Sequence, residues 1–374
     1  MTMVVQPAQQ EHAELGRTIR SVLARKSNLE KTRAMTASAT GYDSELWSTL
    51  CGQVGVASLA IDEEYGGLGA GIRELQIVAE ELGRELTPTP FLSSAVLAAR
   101  ALVHSGDDDA KRRLLPPIAE GTVTAALAWT GADGRWRTDR AAFTAERRCD
   151  GTYRLSGSAE YVLNGDTAEC VLAVARVEGE PAKLGLFEVD ASDPGVVRTA
   201  TPTMDSTLRL ASVSLTEVAA ERVSTSDFAP ALTQVRDEVC AVLAAEQIGA
   251  ADQALADTVS YSKERVQFGR PIGSFQALKH RMADLYVLVE SARAACYEAA
   301  DALDRHDPDS SRAALVARVA CSEALSTVAA EMIQLHGGIA ITWEHTAHLY
   351  FKRAHSSSQL FGQPHHRLAE LLAK

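Results

Sequence analysis

The chain has 374 residues, of which 46% are hydrophobic and 23% charged, with a formal net charge of −12. That length exceeds one simple core and implies two or three packed units of ordinary globular composition. The acidic balance argues against nucleic acid as the main partner, because phosphate binding needs a basic face.

The opening MTMVVQPAQQEHAELGR lacks a charged start followed by an apolar run, so no signal peptide is read. No stretch approaches the roughly 20 apolar residues of a membrane span, and a cytoplasmic location is expected. Cys51, Cys149, Cys170, Cys240, Cys296 and Cys321 lie far apart without a CxxC pair, the spacing of reduced thiols and not of a disulfide frame or zinc site.

Residues 9–26 and 43–55 carry apolar positions at helical spacing, after which GVASLAIDEEYGGLGAG breaks into a glycine-rich loop. A third helix is predicted from Ile72 to Leu86, with apolar residues on one face and acids on the other, ending near Pro88 and Pro90. Two more follow in FLSSAVLAARALVHSG and DDDAKRRLLPPIAEG. Asp107, Asp108 and Asp109 read as a cap and not as a metal site, since a helix N-terminus favours negative charge. This gives a helical N-terminal domain over 1–121.

At Gly121 the period changes. TVTAALAW, YRLSGSAEYVLNG, ECVLAVARV, KLGLFEVD and RLASVSLTEVAAERV are short β-branched or alternating runs between Gly, Asn and Asp turns, so 122–227 reads as a β domain. Helical spacing returns at Phe228 and holds to the end in three long runs and a terminal segment, so 228–374 reads as a four-helix bundle.

Between the first two long runs lies RVQFGRPIGSFQALKHRMAD, Arg265 to Asp284. Lys263 and Arg265 bring positive charge, Phe268 and Phe275 bring flat apolar surface, and Gly269, Pro271 and Gly273 break the helix. A guanidinium matches a diphosphate, the following helix N-terminus favours the same charge, and an aromatic ring lies against a heterocycle. The same residues also suit a plain helix-to-helix turn.

The string RxQFGxPIGxFQxxKHxxAD resembles the stretch of acyl-CoA dehydrogenases in which one subunit reaches the FAD of its neighbour. The resemblance extends along nearly the whole chain, through AIDEEYGGLGAG, EELGREL, EYVLNGDTAECVLAVAR and QLHGGIAITWEHTAHLYFKRA. It implies an α+β multi-domain fold: an N-terminal helical domain, a middle β-barrel or sandwich, and a C-terminal four-helix bundle. It also implies FAD as cofactor, with Arg265 at the diphosphate, Phe268 at the adenine side, Gln276 at the far end and Phe275 among the cofactor-binding residues. Gln334, Gly337 and Gly338 would receive the adenosine of the adjacent subunit, and Thr130 and Tyr161 would lie beside the flavin. The resemblance further implies an acyl-CoA thioester as substrate, desaturated between its α and β carbons by a glutamate base and hydride transfer to the flavin. Electron-transfer flavoprotein or a similar protein is the expected acceptor.

The sequence departs from this family where the chemistry lies. Counting from Glu344, as the family motif does, puts Phe361 at the usual base position, followed by the matching Gly362. The alternative position on the preceding helix falls on Val239, and neither side chain takes a proton. Glu238 serves if the alignment slips by one. Glu246 serves if the substrate sits about 10 Å further along the helix, and if buried it must be paired or neutralised. AWTGADGRWRTD replaces the usual TEPxAGSD and keeps Thr130; Tyr161 replaces a tryptophan and Leu163 a threonine.

Three readings follow. The chain is an active dehydrogenase with an unusual base, in a dimer or tetramer of its own kind. Or it is a degenerate subunit that completes the FAD site of a base-carrying chain, as in the α2β2 enzymes of actinobacterial steroid catabolism, which it resembles. Or it is a flavin-dependent oxidase. His336 reads as a structural histidine beside the cofactor loop; His345, His348, His365 and His366 lack a tetrahedral metal set; Ser356, Ser357 and Ser358 read as a polar turn.

Overall fold

The computed structural model describes residues 7–27, 29–131, 133–137, 141–180 and 183–372. Residues 1–6 of the opening segment, and Ala132, Thr138 and Asp139 of AWTGADGRWRTD, lie outside the described residues.

The N-terminal part holds α1 (Pro7–Lys26), α2 (Leu29–Thr36), α3 (Ser44–Thr49), α4 (Ile72–Arg84), α5 (Ala99–Val103) and α6 (Asp108–Ala119). A wide-turn helical stretch, Phe91–Ala98, leads into α5. Local chemistry starts these helices. The Asp43 carboxylate accepts the amides of Glu45 and Leu46, and that of Asp107 accepts the Ala110 amide at 3.0 Å, the cap expected there. Leu75, Val78, Ala79 and Leu82 give α4 its buried face. Asp304, at the far end of the chain, accepts the Ile72 amide at 2.7 Å and so ties the start of α4 to the bundle.

The middle part holds β1 (Ala125–Ala128), β2 (Phe143–Arg147), β3 (Tyr153–Leu163), β4 (Cys170–Val177), β5 (Leu184–Val189), β6 (Val196–Thr201) and β7 (Leu210–Arg222). β4, β2, β3, β7 and β5 pair in that order, and β5 returns to β4, so the sheet closes on itself as a barrel with β1 and β6 added at its sides. β2 and β6 went unpredicted. β6 has no fully buried position and so no alternation to read. Along β4, Val171, Ala173 and Ala175 fill the barrel, while Cys170, Leu172 and Val174 pack into the helical core. Strand period 2 with both faces covered makes this run continuously apolar.

The C-terminal part begins with α7 (Ala229–Glu264), followed by the hairpin strands β8 (Val266–Gln267) and β9 (Arg270–Pro271). Then come α8 (Gln276–Asp304), α9 (Ser310–His336), α10 (Ala347–Gln359) and α11 (Pro364–Leu372). Ser356, Ser357 and Ser358 belong to α10 and not to a turn; Ser357 is fully buried and accepts from the Gln247 amide at 2.9 Å. Among the described residues one helical stretch, Ser310–Ile341, is long and apolar enough to cross a membrane, and its Leu315, Leu325, Val328 and Met332 lie in the bundle core.

Helices α4 and α7 cross backbone to backbone. A Cβ on Gly83 would stand 2.1 Å from the Glu246 carbonyl oxygen, and one on Gly249 would stand 1.9 Å from that of Glu80. The glycine of EELGREL is therefore a packing requirement, and the crossing places Glu246 at the junction of all three parts.

Candidate functional site

The hairpin between α7 and α8 turns through Phe268 and Gly269, at φ +53° and +76°. Two successive left-handed residues suit the twist of a two-residue hairpin, but phenylalanine rarely adopts that conformation. Phe268 is nonetheless 91% exposed, with Phe275 edge-on at 6.2 Å. A strained aromatic projected into solvent marks a surface meant for a ligand or a partner. Arg270 lies over the Phe275 ring at 4.0 Å and adds a cation that the sequence reading did not single out.

Facing the hairpin, α9 ends at Gly337, φ +67°. A Cβ on Gly337 or Gly338 would meet nothing within 4 Å, so both backbones look onto open space. Between the two walls lies a cleft of about 560 Å³, bordered by Arg265, Phe268, Phe275, Arg281, Gln334 and the two glycines. Gln276 starts α8 beside this cleft without lining it. Arg281 was not foreseen, although it lies one helical turn after Ala277 on the same face; it is held by Glu331 at 2.5 Å.

Thr130 and Tyr161 belong to a different cleft of about 670 Å³, shared with Trp129, His355, Phe361 and Gly362. The Thr130 hydroxyl donates to the Glu160 carbonyl, and Tyr161 stands at φ +57° with its ring partly in solvent. The predicted cofactor residues therefore sit in two places on one chain. That is the arrangement required if each cofactor is shared by two subunits.

The position where a base is expected is closed by aromatic packing. Phe361, at φ +61°, is 3% exposed and lies 5.7 Å from the Trp129 ring and 5.4 Å from Trp136, which are 4.4 Å from each other. The turn that carries it is pinned from α9. Arg318, fully buried, donates to the carbonyls of Ser357, Ser358 and Leu360 at 2.7, 3.2 and 3.0 Å. Val239 is fully buried in the helical core.

Both candidate glutamates are paired with arginines. Arg100 donates to Glu238 at 2.8 and 3.0 Å, and His104 lies 2.9 Å away. Burial opposes its charge, but these partners prevail and hold the carboxyl down at about 2. It borders a cleft with Gln234 and His306, a different one from the cleft that Phe361 lines. Glu246 meets the buried Arg353 guanidinium at 2.5 Å, and the same guanidinium takes Asp205 at 3.0 Å and the Thr207 hydroxyl at 2.6 Å. Burial pushes the Glu246 carboxyl up despite Arg353. The cavity beside it measures about 30 Å³, room for a water and not for an acyl chain. The sequence reading missed Arg353, though a gap-free match of FKRA to the family's RDA sets this arginine where an aspartate is usual.

Comparison with known proteins bears on this geometry. Residues 9–122 match the model "Acyl-CoA dehydrogenase, N-terminal domain" and residues 238–365 match "Acyl-CoA dehydrogenase, C-terminal domain". Acyl-CoA dehydrogenase IpdE2 of Mycobacterium tuberculosis is 42% identical over 97% of this chain and 96% of that relative. The protein of the same name from Mycolicibacterium smegmatis is 41% identical over 98% and 99%. Among solved structures, a variant of the Tcur3481-Tcur3483 steroid ACAD superposes with a TM-score of 0.87 at 32% identity, covering 97% of each chain. The ChsE4-ChsE5 complex of Mycobacterium tuberculosis gives 0.87 at 28%, covering 100% of this chain and 98% of that one.

Proposed function

Because this chain belongs to the acyl-CoA dehydrogenase family, we propose that it works as one subunit of an FAD-dependent acyl-CoA dehydrogenase whose base is carried by a second chain of the same fold. When bound, FAD supplies the hydride acceptor for α,β-desaturation of the thioester. This chain's residues hold the far end of that cofactor. Arg265 and Arg281 face a diphosphate with fixed cations, Phe268 offers a ring face to the adenine, and Gly337 and Gly338 bring bare backbone against the adenosine. The open space in front of the two glycines fits a ligand laid directly on the main chain.

One observation carries the subunit reading. The cleft built by Arg265, Phe268, Gly337 and Gly338 stays open, while both base positions are buried apolar side chains, Phe361 and Val239. Random decay would not spare one site and seal the other. Two relatives in solved structures are named as pairs, Tcur3481-Tcur3483 and ChsE4-ChsE5, which supports a hetero-oligomer. The first is named as a steroid enzyme, so a steroid-derived acyl-CoA is the first substrate to try. Electron-transfer flavoprotein is the proposed acceptor.

The test is the visible spectrum and flavin-to-chain ratio of the protein, purified alone and after co-expression with a base-carrying family member, each titrated anaerobically with acyl-CoAs. The expected result is sparse flavin and no bleaching alone, with flavin and bleaching restored in the pair. Full flavin and bleaching by the chain alone would overturn the reading and turn attention to Glu246.

A further inference from the structure

The two walls of the cofactor cleft belong to elements far apart in sequence, and a cluster of three rings joins them. Tyr261 stands on the last turn of α7, just before the hairpin that carries Arg265 and Phe268. Its ring stacks on His336, the last residue of α9, at 4.2 Å and 24° between planes. Its hydroxyl donates to the His336 carbonyl at 3.3 Å, on the peptide that leads into Gly337. His345 packs against both rings, tilted at 4.5 Å from His336 and edge-on at 6.5 Å from Tyr261, and its Nδ1 accepts the Ala347 amide at 3.1 Å at the start of α10. Gly337 has no side chain to fix its conformation, and its φ of +67° is kept by what surrounds it.

His336 itself is 4% exposed. Its Nδ1 lies 2.8 Å from the Met332 carbonyl and therefore carries the proton, so in the neutral ring Nε2 bears a lone pair. Nε2 is buried without a hydrogen-bond partner among the described residues. A second proton there would be a buried donor with no acceptor, a costly state.

We infer that Tyr261 and His336 are positioning residues for the double-glycine turn, and that protonation of His336 loosens the stack and weakens the hold on the cofactor's adenosine diphosphate end. This rests on the reading of the cleft as a cofactor site. Burial holds the His336 proton affinity below that of an ordinary histidine, and the neighbouring His345 acts in the same direction. The charged and titratable groups around the stack are Tyr261 and Asp257 from α7, His345 before α10, and His348 on α10 beyond it; Asp257 acts on His345 in the opposite sense. From α8, Arg281 lines the cleft and is held by Glu331 of α9. The neutral ring is the competent one, so affinity is full at neutral pH and is lost as pH falls through the depressed value.

The test uses the full chain with ADP as ligand, read by saturation transfer to the adenine protons from about pH 5 to pH 8. Wild type is compared with Tyr261→Phe, His336→Phe and Arg265→Ala. The terminal phosphate of ADP takes up a proton in this range and weakens binding in acid for every variant, so wild type should lose more affinity in acid than His336→Phe, which keeps a ring beside Tyr261 but has no imidazole to titrate. Tyr261→Phe should weaken binding roughly fivefold at every pH, the scale of one hydrogen bond, and leave the acid loss in place. The imidazole signal of His336 in the wild type supplies a measurement that needs no variant. An anion acting by charge alone would shift its midpoint up when ADP binds, whereas the positioning role shifts it down.

If wild type does not bind ADP, or Arg265→Ala binds as well as wild type, the cofactor reading falls and this inference falls with it. If wild type binds but His336→Phe keeps the same acid loss, or Tyr261→Phe binds unchanged, or the midpoint moves up, the inference is overturned while the cleft reading stands.

Discussion

Glu238 keeps its charge because Arg100 and His104 surround it, and that has a measurable consequence. Its folded value of about 2 lies below the ordinary 4.5, so its contribution to stability is complete above about pH 4.5 and is lost as pH falls toward 2. Glu238→Gln should lower unfolding free energy by on the order of 3 kcal/mol at neutral pH and flatten the acid limb of stability in urea titrations. The cluster around Arg353 behaves differently, since one guanidinium there faces two carboxylates. Glu246→Gln leaves Arg353 paired with Asp205 and should change stability by less than about 1 kcal/mol, whereas Arg353→Met strands Glu246 and Asp205 together and should cost about 3–5 kcal/mol. A large loss from Glu246→Gln would show that the pair with Glu246 dominates that site. At the cleft, Arg265→Ala should strip FAD from whatever assembly forms, measured as flavin released per chain on gel filtration. Unchanged retention would remove the hairpin from the cofactor site.

Between elements, two contacts decide the architecture. The α4–α7 crossing leaves no room for a methyl group at Gly83 or Gly249, so Gly249→Ala must push the helices apart. Overpacking of this kind costs about 1–3 kcal/mol, and a lower thermal midpoint with retained far-UV circular dichroism would report it. A wild-type midpoint for Gly249→Ala would mean that the helices separate freely. The second contact is the turn after α10, held by Arg318 and by the packing of Phe361 against the Trp129–Trp136 pair. Phe361→Glu restores the residue type of the usual base but buries a carboxylate among indoles. It should destabilise the chain by several kcal/mol, on the order expected for an unpaired buried charge, and produce no bleaching with acyl-CoA. Bleaching by a stable Phe361→Glu protein would show a dormant active site in place of a packed joint.

At the scale of the whole molecule, the residues proposed to hold a cofactor line two clefts of one chain, and the proposed function therefore calls for a second chain. A native mass spectrum of the co-expressed pair should show both chains in equal number with flavin, and this chain alone with little. The order of helices, strands and helices was legible from the sequence, because period 3.6 and period 2 are written locally in apolar spacing. So were the hairpin arginine, its phenylalanine and the double glycine, since a glycine-broken loop with fixed charge is a local pattern. Phe361 and Val239 could also be read as inert from their side chains alone. The partners of Glu238 and Glu246 could not. Arg100 and Arg353 are more than a hundred positions away in sequence from the acids they hold, and charge pairing over such distances leaves no periodic trace. Nor could the joining of Tyr261 to His336, or the packing of Phe361 against two tryptophans, since these depend on how separately legible elements pack. The sequence by itself determined the family, the layout and the inert side chains of Phe361 and Val239. Only the tertiary structure decided that Glu238 and Glu246 are tied up in ion pairs, because burial and the identity of neighbours, which set a carboxylate's charge, come into being when the chain folds.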